Sequence, residues 1–520
     1  MSIALEEPLV ETPAPSAVRA ETLAASVVIL LVMTVAQRLI GFGRGILFCR
    51  WLDPEQLGQW DVAFGFLNLA APLAVLGLPG SFGRYVEYFR ARGQFHTFLR
   101  RTVAVSTVAG LIATGAMVVE RAWFSQLIFG SVQNTGMVVW LAICLAVVIA
   151  HNFLLSLFIA VRMYRFVTAL QFIQSLGFAV LSIGLLAAWP LGATSAVIAY
   201  ATATILSGIG SVHWLRQLSA GETTTGRPAP HQAFWAKLVP FAGWMWITNL
   251  LAGLFEVIDR YMIIHHGGME THEALRQVGL YHSSRIVPLL FVAVAGLLGS
   301  MITPHLSHDW ERGCRDAVVR RLNLVLKTLL YALFAGSVAV LFFAPLLFRV
   351  AFANKFEGGL VVLPWTLAYC AWFGTIAVAQ NYLWCAERAR LSTFALFAGL
   401  LLNIACNLVL LPRFGLEGAV WATSLANLFA LTLIYIFSRW HGMHVDSGTW
   451  ILTLVPVSLG LGPWVALCVL LAVTSLAATS HWILIQLEKD HLSTMVRHAL
   501  RKVVPRRRAS LGSAAEVVSR

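Results

Sequence analysis

Four basic side chains interrupt segments that are otherwise apolar enough to cross a membrane. They are Arg38, Arg44, Arg260 and Arg285. An arginine in the hydrocarbon of a bilayer is costly unless it faces protein, water or a ligand. Its planar guanidinium donates two parallel hydrogen bonds, which suits a phosphate or diphosphate oxyanion. These four residues are therefore the first candidates for binding an anionic substrate.

The first two arginines lie on one predicted helix, near residues 24–48. Arg44 lies about 9 Å closer than Arg38 to the outer end of that helix, and six residues turn the two side chains about 120° apart. We expect Arg38, the deepest of the four charges, to hold the anionic group of the substrate. For Arg44, Arg260 and Arg285, a substrate role and a structural ion-pair role both remain open.

Three acidic residues are the candidate partners of these arginines. Asp61 opens the second predicted helix, and Glu256 and Asp259 lie on the seventh. Glu256 and Arg260 have the i,i+4 spacing that puts two side chains on one face of a helix. The acids can form ion pairs that close an outer gate, or Glu256 and Asp259 can couple transport to H⁺ or Na⁺, as membrane carboxylates do in transporters.

The composition identifies an integral membrane protein. The chain has 520 residues, of which 58% are hydrophobic and 12% charged, whereas a soluble domain has about 25% charged residues. Its mean hydropathy is +0.77. The seven cysteines form no C-x-x-C pair, so neither a disulfide framework nor a zinc site is indicated.

Segments of about 20 apolar residues mark the predicted spans. In the first half they lie near 24–48, 58–79, 102–120, 137–161, 167–189 and 195–215. In the second half they lie near 238–264, 280–304, 326–349, 360–386, 392–412 and 419–440. Residues 450–487 hold either one long helix or two short ones, with a break at 460–463. We predict an all-α polytopic protein with about 14 transmembrane helices; twelve spans and a re-entrant pair are the alternative.

The distribution of basic residues predicts the orientation. If the N-terminus is cytoplasmic, the inside loops carry most of the loop lysines and arginines, as the positive-inside rule requires. The C-terminal tail is also strongly basic. We therefore expect a multi-pass protein of the cell inner (plasma) membrane with both termini in the cytoplasm, which requires an even number of spans.

The two halves of the chain are predicted to be repeats. Residues 57–93 align with 278–313, so that Gly58 corresponds to Gly279. Six spans per half give both halves the same orientation, which predicts parallel repeats with the substrate site between them. The predicted divisions are a cytoplasmic tail 1–20, an N-lobe 21–216 (helices 1–6), a cytoplasmic linker 217–237, a C-lobe 238–440 (helices 7–12), helices 13–14 in 441–487, and a basic cytoplasmic tail 488–520.

Three stretches carry a resemblance to a known family. They are RLIGFGRGILFCRWLDPEQLGQW with LGLPGSFGRYVEYF, then EVIDRYMIIHH with VGLYHSSRIVPLLFVAVAGLLGSMITPHLS, and AERARLSTFALFAGLLLNIACNLVLLPRFGLEGAVWAT. In this order they resemble the polysaccharide (Wzx-type, O-antigen/exopolysaccharide) flippases of the multidrug/oligosaccharidyl-lipid/polysaccharide (MOP) flippase superfamily. The opening stretch is less similar to the peptidoglycan-precursor branch, where an acidic residue follows the second arginine; here Gly45 follows Arg44.

The resemblance implies a fold, a mechanism and a substrate. The fold is two V-shaped lobes, as in the related MATE transporters, that alternate access to the two sides of the membrane. The implied cargo is a polyprenyl diphosphate-linked oligosaccharide, moved from the cytoplasmic to the outer leaflet for lipopolysaccharide or exopolysaccharide synthesis. Membrane lipids, an H⁺ or Na⁺ counter-ion and a polysaccharide polymerase are the expected partners, and nucleic acid is not.

Two other functions remain as alternatives. One is a multidrug or cation exporter on the same fold, and the other is a membrane glycosyltransferase or glycan ligase. The second needs a catalytic carboxylate in an outer loop, and the longest outer loops offer only Glu270 and Glu273. No Walker A, H-E-x-x-H or G-x-S-x-G motif occurs, so we expect no cofactor, no metal site and no enzymatic activity. Asn403 and Asn407, also at i,i+4 spacing, are expected to hydrogen-bond between helices.

Overall fold

The computed structural model describes residues 23–189, 191–220 and 230–480. The two predicted tails and most of the predicted linker lie outside these residues. The described part of the chain is helical and contains no strand, which confirms the predicted all-α class.

The first half contains eight α-helices. Their bounds are α1 (Leu23–Trp51), α2 (Pro54–Ala74), α3 (Phe82–Arg90), α4 (Phe95–Val119), α5 (Arg121–Phe129), α6 (Thr135–Ala160), α7 (Tyr164–Ala188) and α8 (Ala193–Ala220). Short 3₁₀ segments at Leu78–Ser81 and Val132–Asn134 join α2 to α3 and α5 to α6.

The second half contains nine α-helices. Their bounds are α9 (His231–His266), α10 (Thr271–Arg285), α11 (Pro288–Glu311), α12 (Arg315–Val350), α13 (Glu357–Ala379), α14 (Asn381–Cys385), α15 (Ala389–Trp440), α16 (Ser447–Leu454) and α17 (Pro463–Thr479). A 3₁₀ segment, Val455–Leu461, extends α16. Helix thus covers both ends of the predicted linker, because α8 continues to Ala220 and α9 begins at His231.

Ten of the described helices are long and apolar enough to cross a membrane, or eleven if α2 and α3 form one bent span. The longest, α15, consists of two helices that meet at Gly415, whose φ of +56° breaks the helical path. Two shorter apolar segments, Ser447–Leu461 and Pro463–Thr479, follow. These elements agree in outline with the predicted helices, and fourteen crossings stays a prediction.

The final two segments run along α12 in opposite directions. The contacts, in chain order along the final segments, are Lys327–Asp446 at 2.7 Å between charged atoms, Phe342–Trp464 at 5.0 Å between rings, and Tyr331–Thr474 at 2.9 Å between hydroxyls. Contact therefore moves along α12 toward its C-terminal end and then returns. This is the path of a helix pair rather than of one long helix.

The second and eighth predicted helices are both broken, at different places. After α2 the chain bends by 63° into the 3₁₀ segment and α3, and Gly77 in the bend has a φ of +69°. The eighth helix is interrupted before Pro288, which starts α11 without an N–H to donate to the preceding turn. The two repeats are therefore similar in topology but not identical in shape.

The two halves meet where α2 crosses α10. We call the contact of Gly58 with Gly279 the glycine crossing. A methyl group added to Gly58 would overlap the carbonyl oxygen of Leu275, and one added to Gly279 would overlap the carbonyl oxygen of Pro54. The residues that the sequence repeat pairs thus pack backbone against backbone.

Short connections make successive long helices antiparallel, which defines two ends of the bundle. The Asp53 end carries the α1–α2 turn, and the linker end carries the α8–α9 connection. The sequence predicts that the linker end is cytoplasmic. Because the glycine crossing lies in the first turns of α2, it joins the two halves near the Asp53 end.

Candidate functional site

The structure separates the two arginines of α1. The guanidinium carbon of Arg44 lies 4.1 Å from the ring centroid of Phe178 on α7, so this side chain packs within the first half. Arg38 is exposed. Among the described residues Arg38 has no ion pair, hydrogen bond or ring contact, so it has the freedom that a ligand-binding cation requires.

The direction of Arg38 follows from the helix geometry. Gly45 is seven residues further along α1, a separation that returns to nearly the same helix face at about 10 Å distance. A Cβ on Gly45 would lie 3.4 Å from Ile286 in the second half of the chain. Arg38 is therefore on the face of α1 that turns toward the second half, closer to the linker end.

A buried ion pair connects the halves next to the glycine crossing. Nε of Arg260 on α9 lies 2.7 Å from Oδ2 of Asp61 on α2, and the two side chains are 5% and 4% exposed. Nδ1 of His282 on α10 lies 2.8 Å from the other carboxylate oxygen of Asp61. One carboxylate of the first half thus holds two basic groups of the second.

The local sequence positions this ion pair. Pro54 starts α2, so Asp61 is about 10 Å into that helix, and Arg260 is about 9 Å from the end of α9. Gly65, one turn after Asp61, provides the space: a Cβ there would lie 2.9 Å from Nη1 of Arg260. Asp61 and Gly65, four residues apart on one face of α2, therefore provide the charge and the space that the guanidinium of Arg260 needs.

Arg260 pairs with Asp61 and not with Glu256, although Glu256 has the i,i+4 spacing. Glu256 is exposed, and no described residue forms an ion pair or hydrogen bond with it. The sequence offered three acids as partners, and the structure selects the one on a different helix. Glu256 is therefore a carboxylate in an apolar helix that makes no direct ion pair and acts on Arg285 only at longer range.

Arg285 at the end of α10 is a buried cation without a carboxylate partner. It is 6% exposed, and its guanidinium carbon lies 5.2 Å from the ring centroid of Tyr281. No described residue accepts a hydrogen bond from it. The carboxylates of Asp61 and Glu256 attract this guanidinium without touching it. Its unused N–H donors favour an anionic ligand, since a buried donor without a partner is costly.

Asp259, adjacent to Arg260, belongs to a separate polar cluster inside the second half. Its Oδ1 accepts hydrogen bonds from Nδ2 of Asn403 at 2.9 Å and of Asn407 at 3.2 Å. The hydroxyl of Tyr281 lies 3.3 Å from its Oδ2. Oδ1 of Asn407 is buried and has no hydrogen-bond partner. Helices α10 and α15 thus direct one hydroxyl and two amide NH₂ donors at a buried carboxylate on α9.

Further contacts close the Asp53 end. Nζ of Lys355 lies 3.3 Å from Oδ1 of Asp53. His265 lies 2.8 Å from the carbonyl oxygen of Leu127, and Thr271 donates to the carbonyl oxygen of Gly130 at 3.0 Å. Each of these contacts joins the first half to the second. The two halves are therefore held together at this end by side chains as well as by the glycine crossing.

Sequence reasoning missed His282 and the contacts of the loops at this end. His282 carries no motif, but it precedes Arg285 by three residues on the same helix, and a titratable residue beside a buried cation is a signal that could have been weighed. The asparagines were recognised as an i,i+4 pair. Their partner, Asp259, lies too far away in sequence for spacing to reveal it.

A bundle of apolar helices with buried charges between its two halves is typical of a membrane transporter. Residues 23–307 match the family model described as "Polysaccharide biosynthesis protein". The chain belongs to this family. The match covers the first half and the helices of the second half that carry Arg260 and Arg285.

Known flippases and transporters are similar to this chain in sequence and in structure. The chain is 19% identical over 448 residues to the lipid II flippase MurJ of Bacillus subtilis, covering 79% of this chain and 82% of that protein. A MurJ structure in an inward closed conformation matches with a TM-score of 0.63 and 14% identity, over 86% of this chain and 98% of that one. An inward-facing MATE multidrug resistance transporter of the MOP superfamily matches with a TM-score of 0.62 and 15% identity, over 80% and 97%.

These matches confirm the resemblance inferred from the sequence. The chain is a multi-pass membrane protein of a family of polysaccharide biosynthesis proteins, and its fold is the one seen in MurJ and in a MATE transporter. The two structural matches share the fold alone, since their sequence identity is low.

Removal of one partner of the Asp61–Arg260 pair should destabilise the protein more than removal of both. Asp61→Asn leaves a buried arginine without its carboxylate, which typically costs about 3–5 kcal/mol. Asp61→Asn with Arg260→Gln should recover a large part of that loss. Thermal unfolding of the purified proteins in one detergent measures the difference.

The exposed ion pair of Glu273 and Arg276, with charged atoms 3.1 Å apart on α10, is the matched control. Its Gln variants should change stability by about 1 kcal/mol or less. A double variant of Asp61 and Arg260 that is no more stable than Asp61→Asn would contradict the role of this ion pair.

Proposed function

We propose that this protein is a flippase for a lipid diphosphate-linked oligosaccharide. It moves the cargo from the cytoplasmic to the outer leaflet of the inner membrane, by alternating access, for the synthesis or export of a polysaccharide. It makes and breaks no covalent bond of the cargo. Both termini are proposed to be cytoplasmic, as the basic loops and tail indicate.

The observation that carries this proposal is the state of Arg38. It is an intramembrane arginine that is exposed, lacks a partner among the described residues, and lies on the face of α1 toward the second half. An arginine is kept at such a position at a high cost, and a diphosphate that accepts its paired hydrogen bonds offsets that cost.

Arg285 supports the proposal from the other half of the chain. It is buried without a carboxylate partner, so the two halves each offer one cation to an anionic cargo. Arg260 is held by Asp61 and is free for cargo only when that pair separates. Arg44, over the ring of Phe178, fits a structural role better than a cargo role.

The contacts at the Asp53 end support alternating access. The cargo must leave toward the outer leaflet, so the glycine crossing and the Asp61–Arg260 pair must separate during transport. Replacing a buried ion pair by apolar groups is often neutral or stabilising, which means that such a pair adds little net stability to the closed state. Asp61, Arg260 and His282 are therefore proposed as the outer gate.

One observation favours the alternative of a cation exporter. Glu256 is an exposed, unpaired carboxylate within the apolar part of α9, and a cationic substrate would be attracted to it. The unpaired Arg38 and Arg285 repel such a substrate, and for that reason we place the anionic cargo first. No observation supports the glycosyltransferase alternative. Its candidate catalytic carboxylate, Glu273, is paired with Arg276 and accepts a hydrogen bond from Gln277.

Arg38→Ala should strongly reduce transport of the cargo with little effect on the fold. A hydrogen bond to a charged group contributes about 1.5–3 kcal/mol, so the loss should be roughly tenfold or more. The measurement is translocation of a polyprenyl diphosphate-linked oligosaccharide in proteoliposomes, followed by glycosidase access to the sugar. Arg50→Ala, at the exposed end of the same helix, is the control and should transport normally.

Full transport by Arg38→Ala at the same protein level would contradict the proposal that Arg38 binds the diphosphate of the cargo. Transport of a cationic dye by the parent chain, lost in Glu256→Gln, would instead support the exporter.

We also propose Asp259 as the residue that couples transport to Na⁺ or H⁺. Hard cations take oxygen ligands, and the neighbours of Asp259 are the hydroxyl of Tyr281 on α10 and the side-chain amides of Asn403 and Asn407 on α15. Its carboxylate accepts hydrogen bonds from the amide NH₂ groups of both asparagines, and rotation of these amides would present their oxygens to a cation. Asp259 is favoured over Glu256, which has no such neighbours.

Asp259→Asn should remove the dependence of transport on a Na⁺ or pH gradient, because the negative charge that holds the cation is lost. The measurement compares transport in proteoliposomes with and without each gradient. Glu256→Gln is the matched control and should retain the dependence of the parent. Dependence that survives in Asp259→Asn and disappears in Glu256→Gln would move the coupling role to Glu256.

A further inference from the structure

A second contact between the halves lies at the linker end. We call it the aromatic seam: α3 and the start of α4 on one side, and the first turns of α9 on the other. Its core includes Phe89, Phe98 and Phe234, with the ring of Phe234 5.0 Å from that of Phe89 and 6.2 Å from that of Phe98. The seam is therefore apolar inside and joins helices of both halves.

Cationic side chains lie over the rings along this seam. Nζ of Lys237 lies 3.4 Å and the guanidinium carbon of Arg92 3.6 Å from the ring centroid of Tyr88. The guanidinium of Arg101 lies 5.0 Å from the ring of Phe234. Two groups at these distances from one ring centroid cannot share a face of the ring, so Arg92 and Lys237 lie on its opposite faces and together add two positive charges to the surface of the seam.

The described residues supply no carboxylate partner for these cations. The acid on α3, Glu87, has a carboxylate oxygen 3.7 Å from Arg90, on the exposed side. Among the described residues Arg92, Arg101 and Lys237 form no ion pair with any carboxylate. Nη1 of Arg101 is in addition buried with no hydrogen-bond partner. The seam thus has several cations and at least one unused buried donor.

The geometry of α3 places these cations where lipid headgroups lie. The 63° bend after α2 turns α3 away from the axis of a spanning helix. One face of α3 is buried through Phe82, Tyr85, Val86 and Phe89, and the other is exposed and charged. Such a helix lies in the membrane interface, and the sequence places it on the cytoplasmic side, where anionic lipids attract basic segments.

We propose that the headgroup of an anionic phospholipid binds at the aromatic seam, on the cationic surface formed by Arg92, Lys237 and Arg101. Arg92 lies in the turn after α3 and Lys237 on α9, so a headgroup that reaches both contacts both halves and stabilises the closed seam. The ligand is distinct from the proposed cargo, since it binds at the membrane surface and not at Arg38. The composition of the inner leaflet thereby regulates how readily the linker end opens.

The test uses the full-length protein purified in a neutral detergent. Phosphatidylglycerol should raise its melting temperature by more than phosphatidylcholine of the same acyl chains, and native mass spectrometry should show phosphatidylglycerol retained. Both effects should be lost in the double variant Arg92→Gln with Lys237→Gln. Arg90→Gln, which removes a charge two residues before Arg92 but not from the Tyr88 ring, should keep them.

Three results would overturn the proposal. The first is an equal loss in Arg90→Gln, which would mean diffuse surface attraction. The second is an equal effect of phosphatidylcholine. The third is an equal rise with soluble inorganic pyrophosphate, which would mean that the ligand is a free phosphate compound and not a lipid. If the double variant does not fold, Lys237→Gln alone is compared with Arg90→Gln by lipid retention, with the same criteria.

Discussion

The structure depends on the contact of two glycines, Gly58 of α2 and Gly279 of α10. No side chain separates the two helices there, so their backbones touch and the two halves come as close as helices can. This closeness brings Asp61 within reach of Arg260 and His282. It also explains why acids and bases from helices far apart in the sequence can share one buried site near the Asp53 end.

The charges between the halves fall into two groups with different consequences. Asp61 and Arg260 neutralise each other's charge and close the bundle. Arg38 and Arg285 have no carboxylate partner among the described residues, and they are the groups that a diphosphate can satisfy. A transporter that works by alternating access needs both kinds of charge. It needs ion pairs that form and separate with little net change in free energy, and it needs cations whose free-energy cost in the membrane is offset when the anionic cargo binds. The aromatic seam joins the two halves at the opposite end, and it is built on apolar rings and not on ion pairs.

The sequence was sufficient for the fold and for the identity of the charged residues. Apolar segment length predicted the helices, and the alignment of Gly58 with Gly279 predicted which residues correspond between halves. The sequence could not show that these glycines touch, nor that Arg260 takes Asp61 in place of Glu256. Spacing reports neighbours along one helix, whereas these contacts depend on how helices cross. The break before Pro288 was missed because only Ile286 and Val287, both apolar, separate the two helices. The early start of α9 was missed because residues 231–237 include His231, Gln232 and Lys237, and apolar length assigned them to the linker.

The distance between the halves at the Asp53 end tests the central role of the glycine crossing most directly. Spin labels at Trp51 and Glu270, both exposed at that end, report this distance by double electron–electron resonance in proteoliposomes. Gly58→Ala should shift the distance distribution to longer values, because the methyl group cannot fit against the carbonyl of Leu275. Gly136→Ala, where a Cβ meets nothing within 4 Å, should leave the distribution unchanged. A folded Gly58→Ala protein with the distribution of the parent would contradict the account.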